Sequence, residues 1–451
     1  MAFPLPPPSE HSFRRFDTDE HQGQGAKVSH ARPVDQSAQT DAGEFLSTSN
    51  SGSTAEPPVA ARIVATDARL IATPLAVARR RLLGRALALV TAAATPLAWS
   101  QPRESIRLGQ SVALTGPQGE LGGAMHRGAK VCFDAVNAHG GVNGRRIELL
   151  ERDDGYDVRR SVENITGFLG DPRIFALFNC MGTPMIEAAL PLIRNTDVPF
   201  FSPFSGAGSA RPTDMRNVLN IRASYAEEVE RLVQHLATIG MKRVALVHQN
   251  NSFGREVLQA AQGAIRRHAL QQVAVAVVQN DASDAGAAAN AIATANPEAV
   301  LVGLAGKPTS SFVSSIRLLR KGLPLYALSV AANTLAVLGD SAMGIAVSQV
   351  VPLPTNVGIS VVRDFLKAWH AGGNALEPSH LALEGYINAR GFIEALRRCG
   401  TNPTRKNFLD AAWSIKRYDL GGFELNFDQP GGSASRFVEL TMIGRGGRFA
   451  R

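Results

Sequence analysis

The sequence predicts an α/β protein with two doubly wound parallel-sheet lobes joined by a multi-strand hinge. From Ile106 onward, apolar strand-like runs alternate with amphipathic helical stretches, a pattern typical of right-handed β-α-β crossovers. Ten such runs are present, which is too many for one sheet of ordinary size. The chain has 451 residues, and a single compact core would be unusual at this length.

The strand candidates are short runs dominated by Val, Ile, Leu and Ala. In chain order they are Ile106–Ala113, Ile147–Arg152, Ile174–Asn179, Phe200–Ser202, Val218–Arg222, Val244–Gln249, Val273–Val278, Ala299–Leu304, Leu325–Val330 and Ile345–Val351.

Three helices are marked by clear signals. Gly123–Ala138 places its apolar residues on one face and is followed by Gly140-Gly141, as a helix end often is. Ser224-Tyr225-Ala226-Glu227 is a capping box that opens a helix over Tyr225–Ile239, at a natural place for the chain to leave the first lobe. The third helix, Leu381–Arg398, is assigned to the first lobe after the chain has returned to it.

These elements predict a discontinuous domain organisation. We expect the first lobe to comprise residues 101–221 and 354–432. The second lobe then comprises residues 222–353 and 433–451. The hinge is expected to consist of the chain segments that cross between these pieces.

The composition is that of a globular protein, with 45% hydrophobic and 19% charged residues. The formal net charge is +8, but the 47 Lys and Arg residues are scattered among 39 Asp and Glu residues. No basic stripe alternates with aromatic residues, as a nucleic-acid groove requires. We therefore expect no nucleic-acid partner.

The cysteine pattern argues against a metal site. Cys132, Cys180 and Cys399 have neither the C-x-x-C spacing nor the Cys/His spacing of a zinc site, and they are too few for a disulfide scaffold. Cys132 is interpreted as a core residue of its helix. We expect no metal and no other cofactor.

The first hundred residues are not expected to belong to the fold. Residues 1–76 are rich in Pro, Ser, Gln and Gly and are predicted to be a disordered extension. Residues 77–100 combine Arg79-Arg80-Arg81, an apolar stretch and small residues before Gln101, which is typical of a secretory signal peptide cleaved after Ser100. Since signal peptides act at the N-terminus, we interpret the extension as a mis-assigned start codon.

This interpretation implies a soluble periplasmic protein. The arginine run permits either the general secretory or the twin-arginine route. No cysteine lies near the cleavage point, so a lipid anchor there is not expected. We expect the mature protein to be a monomer.

Two loops after predicted strands carry the features of an anion site. Cys180-Met181-Gly182-Thr183 and Ser202-Pro203-Phe204-Ser205-Gly206 combine small residues with hydroxyls. In open α/β sheets, ligands bind outside the carboxyl ends of strands, where helix N-termini present free amides. An alternative is that Thr183 and Ser205 only cap the helices that follow them.

Seven segments, in order, resemble the periplasmic leucine/isoleucine/valine-binding protein family, which has the type I periplasmic-binding fold. The resemblance runs from about Ile106 to the C-terminus. It rests on Gln110–Pro117, Val136–Arg145, Asp153-Asp154, Gly182–Pro184, Phe204–Gly206, Val244–His248 and Ser348–Pro352. It implies a non-enzymatic, substrate-binding protein of an ABC transporter, which closes around a small carboxylate or amino acid and delivers it to permease and ATPase subunits.

The resemblance also implies a set of ligand-binding residues. Six of them fall on positions that hold an amino acid's α-carboxylate and part of its ammonium: Met181, Gly182, Thr183, Phe204, Ser205 and Gly206. Phe253 lies where the family has an aromatic lid, with burial under its own helix as the alternative. Tyr225 lies at the hinge.

The sequence departs from the family pattern at several of these positions. Ser329 stands where branched-chain binders have an acid that pairs with the ammonium, and a buried ammonium without such a partner is costly. Leu121 and Gly306 replace aromatic residues. We therefore expect a wider, less charged site that prefers an organic acid without an α-amino group. If leucine binds instead, Glu256 or Asp281 becomes the candidate for the ammonium.

Two other classes of protein were weighed. The sequence contains no G-x-S-x-G, H-E-x-x-H, phosphate-loop or complete G-x-G-x-x-G motif, so an enzyme is not expected. His248 is interpreted as a core or hinge histidine. A ligand-sensing domain of a receptor or regulator has the same fold and stays an alternative, although a signal peptide disfavours a cytosolic regulator.

Overall fold

A computed structural model describes residues 103–450, and it consists of two α/β lobes. The predicted extension (1–76), signal peptide (77–100) and cleavage point after Ser100 lie outside the described residues. Within the described range, each lobe contains a sheet of predominantly parallel strands with helices packed against it. The predicted fold class is therefore confirmed.

The sheet of the first lobe has five parallel strands in the spatial order β2-β1-β3-β4-β5. They are β1 (Ile106–Val112), β2 (Ile147–Asp153), β3 (Ile174–Phe178), β4 (Phe200–Phe201) and β5 (Val218–Leu219).

The sheet of the second lobe has seven strands in the order β14-β13-β10-β9-β8-β6-β7. The first five in chain order are parallel, whereas β13 and β14 are antiparallel. The strands are β6 (Arg243–Gln249), β7 (Gln271–Val278), β8 (Ala299–Gly303), β9 (Leu325–Ala327), β10 (Ala346–Gln349), β13 (Glu439–Ile443) and β14 (Phe449–Ala450). A separate small hairpin consists of β11 (Tyr418–Asp419) and β12 (Glu424–Leu425).

The helices of the first lobe come from both ends of the described chain. They are α1 (Gly119–Ala138), α2 (Val158–Leu169), α3 (Thr183–Ile193), α9 (Ser360–Ala371), α10 (His380–Arg398) and α11 (Arg405–Trp413). The helices of the second lobe are consecutive: α4 (Tyr225–Thr238), α5 (Ser252–Arg267), α6 (Ala285–Thr294), α7 (Lys307–Leu319) and α8 (Ala332–Val337).

All ten predicted strands are present, and the differences lie at their ends and near the C-terminus. The predicted strand Leu325–Val330 is shorter, because the chain turns into a 3₁₀ helix at Ser329–Ala331. The four strands β11–β14 were not predicted. The capping box at Ser224 is confirmed: its side chain accepts from the Glu227 N–H, and the Glu227 carboxylate accepts from the Ser224 N–H.

The chain crosses between the lobes three times. It leaves the first sheet after Leu219 and enters α4 at Tyr225, and it returns between β10 and α9. The third crossing runs beside the first one, since the Ala434 N–H donates to the Asn220 carbonyl and the Ser435 N–H donates to the Ile221 carbonyl, at 2.9 and 2.8 Å. These side-by-side crossings form the multi-strand hinge.

Helices α1 and α10 pack backbone to backbone against one face of the first sheet. A Cβ atom on Gly128 would lie 1.8 Å from the Ala382 carbonyl oxygen, and one on Gly385 would lie 2.1 Å from that of Met125. Beneath them, phenylalanine rings from several elements meet edge to face. This packing fixes the first sheet in place below the cleft.

No helix within residues 103–450 is both long enough and apolar enough to cross a membrane.

The backbone contact between α1 and α10 predicts a steep cost for one methyl group. Gly128→Ala should lower the free energy of unfolding by about 1–3 kcal/mol, because the carbonyl that the methyl group meets cannot move without displacing α10. Equilibrium urea unfolding of the full chain measures this. The matched control is Gly286→Ala in α6, where a Cβ meets nothing within 4 Å and is expected to be neutral or slightly stabilising. Equal effects of the two variants would contradict the proposed packing.

Candidate functional site

The strand order places the candidate site at equivalent positions of the two sheets. Both sheets have the order in which the first strand lies between the second and the third: β2-β1-β3 in one lobe and β7-β6-β8 in the other. Ligands of doubly wound folds bind where the order reverses, outside the carboxyl ends of the strands. The loops after β1 and β3 therefore face those after β6 and β8 across a cleft.

Two loops of the first lobe are held together by their own backbones. Asn179 and Ser202 follow β3 and β4 with positive φ values of 49° and 51°, and each turns the chain sharply out of the sheet. The Phe204 N–H then donates to the Cys180 carbonyl at 2.8 Å, and the Gly182 N–H donates to the Phe204 carbonyl at 3.2 Å. The loops therefore form one rigid wall of the cleft.

Asp153 and Asp154 anchor the loops beside this wall. The Asp153 carboxylate accepts hydrogen bonds from the backbone of Leu114 and from the hydroxyl of Thr115, at 2.9 and 2.6 Å. Although burial opposes it, these bonds hold the pKa of the Asp153 carboxyl below its usual value. Asp154 is fully buried, which raises its pKa, and it accepts from the Tyr156 N–H at 2.9 Å.

A cavity lies between the lobes at this place. Its lining residues are uncharged and mostly apolar: Gln118, Leu121, Tyr156, Met181, Gly182, Thr183, Phe204, Tyr225, Phe253, Ala305 and Val330. The cavity has a volume of about 20 Å³, which is room for about one water molecule. The expectation of a wider, less charged site stays a prediction, and the lining of the cavity in this closed arrangement is uncharged.

Six of the nine predicted residues line this cavity: Met181, Gly182, Thr183, Phe204, Tyr225 and Phe253. Ser205 lies behind the wall, where its hydroxyl is 2.8 Å from that of Thr183. Gly206 packs under Tyr225, and a Cβ atom there would lie 2.5 Å from the tyrosine ring.

Ser329 does not line the cavity, and its neighbour Val330 does. The Ser329 N–H donates to the Glu228 carboxylate at 2.9 Å, and its hydroxyl accepts from Arg222 at 2.6 Å. Ser329 therefore belongs to the hinge, and its polar groups are already used there.

The donors at the start of α3 form the polar end of the cavity. Thr183 is buried, and its hydroxyl is 2.8 Å from that of Ser205. The Gly182 N–H donates to the Phe204 carbonyl. Since Pro184 has no N–H, the first-turn amides that lack an intrahelical partner are those of Thr183 and Met185.

Two aromatic rings of the second lobe line another side of the cavity. Tyr225 and Phe253 meet edge to face with ring centroids 5.1 Å apart. Burial raises the pKa of the Tyr225 hydroxyl, so this group is a neutral donor and acceptor. The Tyr156 ring, from the first lobe, also lines the cavity, and burial raises the pKa of its hydroxyl. Rings from both lobes therefore meet at the cavity.

A buried ion cluster lies behind Phe204. The guanidinium of Arg222 is 4.7 Å from the centre of the Phe204 ring, 3.1 Å from the Glu228 carboxylate and 3.6 Å from that of Glu384. Burial opposes the charge of Arg222, but the two carboxylates outweigh it and raise its pKa. Burial raises the pKa of the Glu384 carboxyl to about 7.

The two acids considered for an ammonium do not line the cavity. The Glu256 carboxylate accepts from the backbone of Gly208 and Ser209 across the cleft, at 3.1 and 3.4 Å. Asp281 is exposed and accepts from the Ser283 N–H. Glu256 thus stabilises the closed arrangement.

The cysteines and possible metal ligands add no chemistry. All three cysteines lie within the described residues and are unpaired. Cys180 is buried under the wall, which raises its pKa to about 12 and leaves it a thiol. Among residues 103–450 no group of His, Cys, Asp and Glu side chains is arranged to hold a metal ion.

Sequence reasoning did not select Gln118, Tyr156, Ala305 and Val330. Each of them follows the carboxyl end of a strand (β1, β2, β8 and β9), and this position was a usable signal. Arg222 was predicted only as the end of the strand Val218–Arg222. Its position at a crossing between two apolar lobes was the signal from which a buried ion cluster could have been predicted.

The comparisons agree with this geometry. The family model described as periplasmic binding protein matches residues 105–448. A substrate-binding periplasmic protein from Ralstonia solanacearum is 30% identical, with a TM-score of 0.70 over 75% of this chain and 98% of that one. A possible leucine/isoleucine/valine-binding protein from Rhodopirellula baltica is 28% identical, with a TM-score of 0.71 over 77% and 96%.

Among curated proteins, a Leu/Ile/Val-binding protein homolog 3 from Brucella melitensis is 22% identical over 44% of this chain and 54% of its own length. The chain thus spans about half the length of the curated relatives that it matches. The family match covers most of the chain and both lobes. On this evidence, the chain belongs to the periplasmic binding protein family.

Proposed function

We propose that this protein is the solute-binding component of an ABC importer and that it closes its lobes around a small carboxylate with an apolar body. The observation that carries the proposal is the interlobe cavity, which combines an uncharged, mostly apolar lining with hydrogen-bond donors at one end. The predicted signal peptide supports action in the periplasm. Permease and ATPase subunits are the proposed partners, and no catalytic step is proposed.

The donors at the start of α3 support an anionic ligand group. The Thr183 hydroxyl and the first-turn amides lie at the positive end of the helix dipole, in a buried place where such donors are effective. The remaining wall offers rings and aliphatic side chains. A carboxylate with an apolar body satisfies both parts.

The charges around the cavity disfavour an ammonium group. The buried acids Glu228 and Glu384 face Arg222 on the far side of Phe204, and no acid lines the cavity itself. A desolvated ammonium in the cavity would therefore lack a carboxylate in contact with it, which is costly. This supports an organic acid without an α-amino group as the ligand.

We expect simple or aromatic carboxylates to bind at least about tenfold more tightly than leucine, isoleucine or valine. Thr183→Val should weaken the carboxylates roughly 10- to 100-fold, because it removes a donor to a charged group. Calorimetric titration measures both effects, and Glu163→Gln on the exposed face of α2 is the neutral control. Native mass spectrometry of protein purified without added ligand identifies the bound mass. If leucine binds with a submicromolar dissociation constant and its deaminated analogue does not bind, the proposal is contradicted.

Closure should depend on Gly306, which has a φ of +58° and faces the other lobe. A Cβ atom there would lie 2.3 Å from the Pro117 carbonyl oxygen. We expect a saturating carboxylate to reduce the radius of gyration of the native protein, measured by X-ray scattering, and to leave that of Gly306→Ala unchanged. Gly339→Ala is the matched control, since Gly339 has a φ of +55° but open space around it. Contraction of both variants would contradict this role of Gly306.

The pH dependence of stability should report the ion cluster. Between pH 4.5 and about 7 the buried Glu384 keeps its proton in the folded state, whereas the unfolded state ionises, so this residue makes stability fall as pH rises. Glu384→Gln should remove that part of the dependence, on the order of 1 kcal/mol or more. Urea unfolding at pH 5 and pH 8 tests this, with Glu163→Gln as the control. Parallel pH profiles of the native protein and Glu384→Gln would refute it.

A further inference from the structure

Gln118 connects the two lobes at the cavity. It follows β1, it is only 1% exposed and it lines the cavity. Its Nε2 atom donates to the carbonyl oxygen of Ala305 in the second lobe at 2.9 Å. The NH2 group of the carboxamide thus stabilises the closed arrangement of the lobes.

The other half of the carboxamide is unpaired. Oε1 of Gln118 is buried and has no hydrogen-bond partner among the described residues. Its orientation is fixed, because turning the amide over would place Oε1 against the Ala305 carbonyl oxygen, and two acceptors cannot bond. Gly306 keeps the space beside Oε1 open, since a Cβ atom there would lie 2.4 Å away.

An unpaired buried acceptor has a definite chemical preference. Leaving a buried carbonyl without a donor costs free energy, so such a group is normally satisfied by a water or by a ligand. The cavity beside it has room for about one water. A ligand that takes this space without a donor loses affinity, whereas one that brings a donor keeps the hydrogen bond.

The charges select the kind of donor. A carboxamide oxygen accepts from a hydroxyl, an amide N–H or an ammonium, but an ammonium also needs a counter-charge when desolvated. The lining of the cavity contains no carboxylate, and the Glu256 carboxylate is bonded to backbone amides of the other lobe. The donor that fits Gln118 is therefore uncharged.

We infer that Gln118 is a specificity-determining residue and that the preferred ligand carries an uncharged hydrogen-bond donor, such as a hydroxyl, in addition to its carboxylate. This rests on the proposed function. According to this inference, Gln118 determines the ligand class. Ser329 does not, because its polar groups are used in the hinge. Hydroxylated apolar acids are the chemical class that meets these requirements.

Matched pairs of probes test the inference: 4-hydroxybenzoate with benzoate, 4-hydroxyphenylacetate with phenylacetate, and 2-hydroxy-4-methylpentanoate with 4-methylpentanoate. For at least one pair, calorimetry of the full chain should show the hydroxylated acid binding about tenfold or more tightly than its partner. In Gln118→Met, which keeps the length of the side chain without the acceptor, that ratio should fall to about one. The ratio separates the two roles of Gln118, because losing only the bond to Ala305 weakens both members of a pair equally.

A second variant controls for changes in cavity shape. Leu121 lines the same cavity, and Leu121→Met changes no polar group. This variant should therefore shift the affinities for the hydroxylated acid and for its partner while keeping their ratio. Carboxylate binding with ratios near one in the native protein, or with ratios that Gln118→Met leaves unchanged, overturns the role of Gln118 and leaves the proposed function standing. If leucine binds more tightly than all six acids, the claim that the ligand's donor is uncharged is overturned. Failure of every carboxylate to bind overturns the proposed function and this inference together.

Discussion

The buried guanidinium of Arg222 is the interaction on which the arrangement of the lobes depends. It lies at the first crossing, where it contacts Glu228 at the start of the second lobe and faces Glu384 from the first lobe. It also supports the ring of Phe204, which forms a wall of the cavity. Removing one partner from such a cluster would leave an uncompensated buried charge. The hinge and the ligand wall are therefore stabilised by the same side chain.

This arrangement separates charge from the ligand. One arginine faces two carboxylates, and burial favours a proton on Glu384, which brings the cluster closer to neutrality. The cavity on the other side of Phe204 then has an uncharged lining. In the proposed site, polar recognition is left to neutral groups, among which Thr183 supplies a donor and Gln118 supplies an acceptor. A site built in this way distinguishes ligands by the position of their hydrogen-bonding groups more than by their net charge.

The fold could be predicted because its signals are local. Alternating apolar runs and the capping box at Ser224 depend on neighbouring residues, and strands β1 to β10 appear where the pattern placed them. Strand β13 was missed because its partner β10 lies far away in the chain, and β14 because it has only two residues. The site was predictable where a residue follows a strand of its own lobe, as Thr183 and Phe204 do. Gln118 could not be assigned because its role depends on a contact between the lobes. Ser329 could not be assigned because its partners, Arg222 and Glu228, lie far away in the chain.

The glycine-mediated contact between α1 and α10 has a consequence for synthesis. Helix α10 is translated after the whole of β6–β10, so one face of the sheet formed by β1–β5 lacks part of its helical cover until most of the chain has left the ribosome. The segment from α4 to β10 is continuous and has its own core, and it can form as soon as it emerges. The first lobe to be translated is therefore the last to be completed. In the meantime, part of the apolar face of its sheet stays exposed to solvent and to chaperones.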